Sequence, residues 1–220
     1  ELIELSNPNF QEETIFIFPE GALTGINLND IKIYKKLFQD NYSSKHKIIL
    51  GINSYENSKI FNSLVVLDNN ANILLKYNKN NLVPFGEFLP FESLLSKLGI
   101  KKITIGYQSY SADKVRKILN INNIKFLPLI CYEIIYSGRL NKDNNDYNFI
   151  INISEDGWFG NSIGPYQHFS HSIFRAIEEG KNLIRSANNG VTAHIDPTGY
   201  VVNKIESTQK GVIEVNKFKN

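Results

Sequence analysis

Hydrophobic residues along this chain follow two spacings: continuous or alternating runs typical of strands, and a three-to-four-residue repeat typical of helices. The runs rich in β-branched and aromatic residues predict six strands, followed by a hairpin around the turn Asp196-Pro197-Thr198-Gly199. The predicted strands are Thr14–Phe18, Lys47–Ile52, Ser63–Leu67, Ile73–Tyr77, Ile124–Tyr132 and Asn148–Ile153. The hairpin pairs Val191–Ile195 with Tyr200–Val202.

Two longer segments, Leu28–Tyr42 and Gln167–Ile184, carry apolar residues at helical spacing, and Phe91–Leu98 predicts a short amphipathic helix. Between them, the segment from Pro84 to Pro90 also contains Gly86 and predicts an irregular loop. Strands, helices and hairpins therefore alternate without internal repeats. This order favours an α/β layered sandwich with mixed sheets over an all-parallel sheet.

Composition narrows the class of protein. The chain has 220 residues, of which 42% are hydrophobic and 21% charged, and this favours one globular domain over residues 1–220. The formal net charge is +2 and both signs are mixed along the chain, so nucleic acid is not an expected partner. The single cysteine excludes an internal disulfide.

No segment is expected to cross a membrane, because none approaches the about 20 apolar residues that a spanning helix needs. The longest apolar stretch, Phe126 to Tyr136, is interrupted by Pro128 and Glu133. Methionine is absent even at position 1, so we expect the chain to be part of a longer protein whose start lies upstream.

Three reactive residues follow or end predicted strands, in the order Glu20, Lys79 and Cys131. Taken singly, each has an ordinary structural interpretation: a solvated loop acid, a surface cation and a small buried side chain. Taken together they form a carboxylate base, an ammonium for a developing oxyanion and a thiol nucleophile. The combination predicts covalent acyl chemistry on Cys131.

The sequence around these residues resembles the nitrilase, or carbon–nitrogen hydrolase, superfamily. The resemblance lies in the stretches FPEGA, YNKNNLVPFGEFLP, LICYE and RAIEEGKNLIRSANNGVTAHIDPTG, and it runs in order from about Phe18 to Gly199. Within the superfamily, LVPFGEFLP, Cys131-Tyr132-Glu133 and the WFG triplet followed by Gln167-His168 resemble the bacterial apolipoprotein N-acyltransferase family.

The resemblance implies a four-layer αββα sandwich with two mixed β-sheets. It implies that Glu20 is the general base, Lys79 the oxyanion stabiliser and Cys131 the nucleophile. Neither a cofactor nor a metal ion is expected.

Three further residues match positions near the family's site: Glu87, Tyr132 and Glu133. For the two acids the choice between positioning and direct proton transfer stays open. Glu87 could also cap a helix near Phe91, and Glu133 could accept hydrogen bonds from loop N–H groups.

The implied reaction moves the sn-1 acyl chain of a phospholipid to Cys131 as a thioester. The acyl chain then passes to the α-amine of the lipid-modified N-terminal cysteine of an apolipoprotein. The implied location is the bacterial inner (cytoplasmic) membrane, with this domain on its periplasmic face. The family also leads us to expect flanking membrane helices and a first domain strand upstream of Glu1.

Two other functions stay open on the sequence: a soluble amidase acting on a small amide, and a binding module without catalysis. The segment Pro84–Glu87 and the apolar residues Leu94, Leu95 and Leu98 favour the membrane enzyme, because a loop of this kind can enter lipid.

The chain departs from the family pattern at two loops. Gly21 stands where a hydroxyl residue is expected, and Glu155 stands where an asparagine is expected before Asp156. Both departures are expected to affect loop geometry only. Trp158 and Phe159 are expected to pack against other side chains and not to contact substrate, and four polar residues of the following segment are expected to be structural. These four are Arg175, Glu178, Arg185 and Asn188.

Overall fold

The computed structural model of the chain describes residues 1–91, 109–138, 140 and 146–216. Within these residues, two β-sheets lie face to face. The first sheet has the strand order β1-β2-β3-β4, in which β1 and β2 are parallel and the other neighbours are antiparallel. Its strands are β1 (Thr14–Ile17), β2 (His46–Glu56), β3 (Lys59–Leu67) and β4 (Ile73–Asn78).

The second sheet is also mixed, with the order β10-β9-β8-β7-β6-β5. Its three central strands, β6, β7 and β8, are parallel, and the outer pairs are antiparallel. The strands are β5 (Leu119–Ile121), β6 (Ile124–Ile130), β7 (Phe149–Glu155), β8 (Asn182–Asn188), β9 (Thr192–Ile195) and β10 (Val201–Ile205).

The described helices are short, apart from one helix on the second sheet. The α-helices are α1 (Leu2–Ser6), α2 (Lys35–Asn41) and α3 (Gly164–Glu179). Short segments of 3₁₀ helix cover Leu28–Tyr34, Cys131–Ile135 and Gly157–Phe159. In the part of the chain that the structure describes, no helix has the length and apolar character needed to span a bilayer.

Three separate apolar cores show that the elements form four layers, helix–sheet–sheet–helix. Between the sheets, Ile49 and Leu64 meet Phe126 and Ile151. On the outer face of the first sheet, the Leu28–Tyr34 turn and α2 pack on β2 and β3. On the outer face of the second sheet, α3 packs on β6, β7 and β8. The predicted αββα sandwich with two mixed sheets is confirmed.

The predicted helix Gln167–Ile184 is wrong in its last part. Helix α3 ends at Glu179 because Gly180 takes a left-handed conformation at φ 59° and caps the helix. The chain then enters β8, in which Leu183 and Ile184 face opposite cores as alternation in a strand requires. Apolar spacing alone did not separate the two elements.

Other boundaries shifted for local reasons. The strand predicted to reach Tyr132 ends at Ile130, and Cys131 opens a 3₁₀ turn instead. The predicted Leu28–Tyr42 helix divides into a 3₁₀ segment and α2. The short strand β5 was not predicted. The predicted Phe91–Leu98 helix lies outside the described residues from position 92 onward.

The backbone of Glu20 packs closely against Gly51 in β2. A Cβ atom at Gly51 would lie 2.8 Å from the Cα atom of Glu20 and 3.1 Å from Cδ1 of Ile153. The first of these neighbours is backbone and cannot move aside alone. The absence of a side chain in the middle of β2 therefore allows the segment after β1 to cross close to both sheets.

We predict that Gly51→Ala destabilises the fold by about 1–3 kcal/mol, as overpacking in a close-packed interior usually does. Urea denaturation measures the change. Gly86→Ala is the control, since a Cβ there meets its nearest neighbour, Val83 Cγ1, at 3.4 Å. Equal stability of Gly51→Ala and the wild type would contradict the packing argument.

Candidate active site

The backbone of Glu155, at the end of β7, joins two of the predicted catalytic residues. Its N–H donates to Glu20 Oε2 at 3.0 Å, and its carbonyl oxygen lies 3.9 Å from Cys131 Sγ. Strands β6 and β7 are parallel, so the chain segments that follow them leave the sheet at the same edge. Glu20 and Cys131 therefore meet at this edge.

Asn62 connects Glu20 with the third predicted residue. Its Nδ2 group donates to Glu20 Oε1 at 2.6 Å and to Glu87 Oε1 at 2.9 Å. Glu87 in turn accepts hydrogen bonds from Lys79 Nζ at 3.0 and 2.9 Å, one on each carboxylate oxygen. A continuous chain of polar contacts thus runs from Glu20 to Lys79.

The Lys79 side chain is 1% exposed and remains cationic. Burial alone would lower its pKa, but the negative charges that Glu20, Cys131 and Glu87 carry when ionised act in the opposite direction and raise it. A buried ammonium held between carboxylates cannot serve as a base. It can stabilise a negative charge that develops beside it.

The Cys131 thiol is not activated in its resting state. Burial and the charge of Glu20 raise its pKa to about 12, while Lys79 acts to lower it. The backbone of Cys131 has φ 51°, a left-handed conformation that is costly for a residue with a side chain. At neutral pH the thiol keeps its proton, so nucleophilic attack needs a base next to it.

Glu20 has the properties of that base. Burial raises its pKa, against the opposing effects of the Lys79 charge and the Asn62 hydrogen bond. A carboxylate whose pKa rises from its ordinary value toward neutrality accepts protons more readily. The three predicted residues therefore lie together and differ in their electrostatic state.

Glu133 holds the site together from behind. Its carboxylate is fully buried and accepts bonds from Ile130 N–H at 2.8 Å and Asn80 N–H at 2.9 Å. The Tyr77 hydroxyl, which has one proton to donate, lies 2.8 and 3.0 Å from the two oxygens of this carboxylate. These contacts tie the loop after Lys79 to the turn at Cys131. Of the two interpretations left open for Glu133, they favour positioning.

Glu87 lies beside Lys79, and Tyr132 lies within the 3₁₀ turn that begins at Cys131. Glu87 Oε2 accepts a bond from Val83 N–H at 2.9 Å in addition to its contacts with Asn62 and Lys79. These described contacts give it a role beside the Lys79 ammonium. The ring of Tyr132 packs at 6.0 Å, centroid to centroid, against the ring of His168 in α3.

The sequence analysis missed Asn62 and the backbone of Glu155. Asn62 is buried at 8% exposure inside β3, whose predicted start at Ser63 excluded it by one residue. A polar residue next to a buried apolar run was the available signal. Glu155 contacts Glu20 and Cys131 through its main chain, and a pattern of side chains along the sequence gives no sign of such contacts.

The two departures from the family pattern face each other. A Cβ atom at Gly21 would lie 3.6 Å from Glu155 Oε2. The Glu155 carboxylate also accepts bonds from Asn188 Nδ2 at 2.6 Å and Asn189 Nδ2 at 2.9 Å. Glu155 and Asn188 are the last residues of β7 and β8, so these contacts join two strand ends to the loop of Asn189.

The expected structural roles of the segment after Gln167 are largely confirmed. Arg175 pairs with Glu178 at 2.6 Å and donates to the Ile135 carbonyl at 3.1 Å, so it ties α3 to the turn of the nucleophile. The expectation that Trp158 packs against other side chains is wrong, because its side chain is 65% exposed on the short turn after Asp156. Among the described residues, no group of three or more His, Cys, Asp or Glu side chains is arranged to hold a metal ion.

The carbon–nitrogen hydrolase family model matches residues 12–216. The chain belongs to this family. Among its curated relatives are apolipoprotein N-acyltransferases from Wigglesworthia glossinidia brevipalpis, 37% identical over 216 residues, and from Rickettsia prowazekii, 35% identical over 213 residues. The alignments cover 93% and 94% of this chain but 42% of each relative, so the chain spans about two fifths of their length.

Solved structures of this family share the fold. A CN-hydrolase superfamily protein from Xanthomonas campestris aligns with a TM-score of 0.63 and 16% identity, covering 94% of this chain and 78% of that protein. An amidase from Nesterenkonia sp. aligns with a TM-score of 0.59 and 12% identity, covering 94% of this chain and 77% of that one. At these identities the likeness shows the fold alone.

The pKa analysis predicts how the thiol responds to loss of the neighbouring carboxylate. Because the Glu20 charge raises the pKa of Cys131, Glu20→Gln should lower the midpoint of the pH profile for alkylation of Cys131 by iodoacetamide. Mass spectrometry of the Cys131 peptide across alkaline pH measures that profile. Glu12→Gln, at an exposed position, is the control. A midpoint that stays in place or rises would show that Glu20 does not act on the thiol.

Proposed function

We propose that this chain is the catalytic domain of an acyltransferase that moves a phospholipid acyl chain to the N-terminal amine of apolipoproteins. The observation that carries the proposal is the joining of Glu20 to Cys131 through the Glu155 backbone and to Lys79 through Asn62 and Glu87. Thiol, base and buried cation are what acyl transfer through a thioester requires. The names of the relatives support the choice of substrates.

In the first half-reaction, Glu20 takes the proton of the Cys131 thiol, and the thiolate attacks the sn-1 ester carbonyl. The resulting oxyanion is stabilised by Lys79 Nζ and by the Tyr132 N–H, which lies at the start of a 3₁₀ turn where N–H groups lack an intrahelical acceptor. The carbon–oxygen bond then breaks. Protonated Glu20 returns its proton to the leaving lysophospholipid, and the acyl chain stays on Cys131 as a thioester.

In the second half-reaction, the α-amine of the lipid-modified cysteine attacks the thioester. Glu20 takes a proton from the attacking amine, and Lys79 again stabilises the oxyanion. Cleavage of the carbon–sulfur bond leaves an amide and a thiolate, which recovers the proton from Glu20. The same three side chains thus serve both halves, and no cofactor or metal is needed.

Both substrates are lipids, so the site must work at a membrane surface. Three large apolar side chains are exposed on loops that carry or follow the site residues: Phe85 at 44%, Phe91 at 81% and Trp158 at 65%. Apolar side chains of this kind bury themselves readily in the interfacial region of a bilayer. We place the domain on the periplasmic face of the bacterial inner membrane. Leu94, Leu95 and Leu98 lie outside the described residues.

We predict an acyl adduct on Cys131 when the full-length protein is incubated with phospholipid and no acceptor. Mass spectrometry should find the fatty acyl group on the Cys131 peptide and find none in Cys131→Ser, because a hydroxyl needs much stronger activation than a thiol. An adduct formed from a small amide but not from phospholipid would favour the amidase. Acyl transfer without any adduct on Cys131 would refute the nucleophile.

We predict that Lys79→Arg slows acylation of Cys131 by about 100- to 1,000-fold, as loss of an oxyanion donor does. The fully buried Lys79 ammonium is compact, whereas guanidinium is a wide planar fork that would displace the reacting carbon. The adduct assay measures the rate. Lys45→Arg, at an exposed lysine, is the control. A near-wild-type rate for Lys79→Arg would mean that any positive charge suffices.

A further inference from the structure

A cluster of buried polar side chains lies behind Cys131, on the face of the second sheet that α3 covers. Asp156 and Arg185 form an ion pair, Oδ2 to Nη2 at 2.7 Å, and both side chains are 0% exposed. Asp156 Oδ1 also accepts hydrogen bonds from Ser154 Oγ at 2.7 Å and His168 Nδ1 at 2.9 Å. None of these residues takes part in the proposed proton transfers.

The cluster reaches the nucleophile through the amide of Asn152, which is fully buried. Arg185 Nη1 donates to Asn152 Oδ1. The Nδ2 group of Asn152 donates to the carbonyl oxygens of Leu129 at 3.2 Å and Cys131 at 3.4 Å. A guanidinium only donates hydrogen bonds, so it can bond only the oxygen of the amide. Arg185 therefore fixes which way the amide faces and turns its NH₂ group toward the two carbonyls.

Stability alone does not account for these charges. Buried apolar side chains such as Leu129, Ile150 and Leu183 form the core on this face. A buried ion pair is often no more stabilising than hydrophobic side chains of the same volume, because desolvation of the two charges offsets their attraction. A role in holding the adjacent backbone accounts for the pair, since Asn152 links it to Cys131.

The backbone at Cys131 needs such support. Its left-handed conformation, φ 51°, costs on the order of 1–3 kcal/mol and persists only where the surroundings fix it. Because the peptide unit is planar and trans, a fixed Cys131 carbonyl also fixes the Tyr132 N–H, which points the opposite way. The contact with Asn152 on one side of this peptide therefore sets the direction of a donor on the other side.

We propose that Asn152, held in one orientation by the Asp156–Arg185 pair, is a positioning residue that aims the Tyr132 N–H at the oxyanion of acyl transfer. The proposal rests on the proposed function insofar as Cys131 is acylated, but it does not depend on the identity of the acyl donor. Asn152 touches no substrate. It acts through the Cys131–Tyr132 peptide.

Two reagents that react with the Cys131 thiol distinguish a positioning role of Asn152 from general damage to the site. Acylation of Cys131 by p-nitrophenyl butyrate passes through an oxyanion, whereas alkylation by iodoacetamide does not. Asn152→Ala should slow the acylation burst by about tenfold or more, since small misplacements of catalytic groups have effects of this size. The alkylation rate and its pH profile should stay close to those of the wild type.

Asn182→Ala is the matched control. Asn182 is a buried asparagine at the start of β8, 5% exposed, whose Oδ1 lies 3.0 Å from His194 Nε2; it pairs with Phe149, at the end of β7 opposite to Glu155. Asn152→Asp is the second variant. It keeps the shape and the acceptor for Arg185 but loses the NH₂ donor. Its acylation should be slowed as well, and thermal melting compares the stability of all three variants.

The outcomes separate the two proposals. Wild-type acylation bursts in Asn152→Ala or Asn152→Asp would overturn the positioning role, and so would equal losses in Asn152→Ala and Asn182→Ala. Slowing of both reagents in parallel would also overturn it, because it would show damage to the thiol itself. A wild-type protein that is alkylated but never acylated would instead refute acyl chemistry on Cys131, and with it the proposed function.

Discussion

The buried ammonium of Lys79 is the constraint around which the site is arranged. Removing a charge from water is costly unless other charges and hydrogen bonds compensate. Here Glu87 supplies both carboxylate oxygens at close to 3 Å, and Glu20 and Cys131 lie near enough to raise the pKa of Lys79. The position of the cation therefore decides where the carboxylates can lie. Asn62 lies between the two carboxylates, Glu20 and Glu87, and its amide NH₂ group donates one hydrogen bond to each of them.

The second constraint is conformational, and it acts on Cys131. A left-handed residue directly after a strand lifts its side chain out of the pleat, and the surrounding contacts must hold it there. Glu133 binds the N–H of the preceding residue, Ile130, at 2.8 Å, and Asn152 binds the Cys131 carbonyl at 3.4 Å. The two side chains belong to different elements, and they bind the backbone on both sides of the Cys131 side chain. The carboxylate of Glu133 also binds the loop that follows Lys79, so the same group relates the cation to the thiol.

The sequence predicted those features that repeat along the chain and missed those set by single contacts. Apolar runs located β1, β2, β3, β4, β6 and β7, because each buries at least one face in a core. They did not separate α3 from β8, because only the left-handed cap at Gly180 ends the helix. The positions of Glu20, Lys79 and Cys131 at strand ends also predicted that they lie close together, since the loops at one edge of a sheet converge. Asn62 and Asn152 were not predicted, because each makes its main contact with a residue far away in the sequence. Asn62 bonds to Glu20, 42 positions away, and Asn152 bonds to Arg185, 33 positions away.

Two carboxylates near Cys131, the fully buried Asp156 and the partly buried Glu20, differ in how their surroundings shift the pKa. Burial alone would raise the pKa of Asp156, but the hydrogen bond from His168 and the charge of Arg185 lower it to about 2. Glu20 is also desolvated, yet the Lys79 charge and the Asn62 amide do not overcome this effect, and its pKa is raised. A carboxylate with so low a pKa stays ionised and does not exchange protons near neutral pH, whereas a carboxylate whose pKa is raised by desolvation can. The difference in hydrogen-bond partners therefore suits Glu20 to the proton transfers proposed above and Asp156 to a structural role, although one carboxylate contacts the Glu155 backbone and the other follows it in sequence.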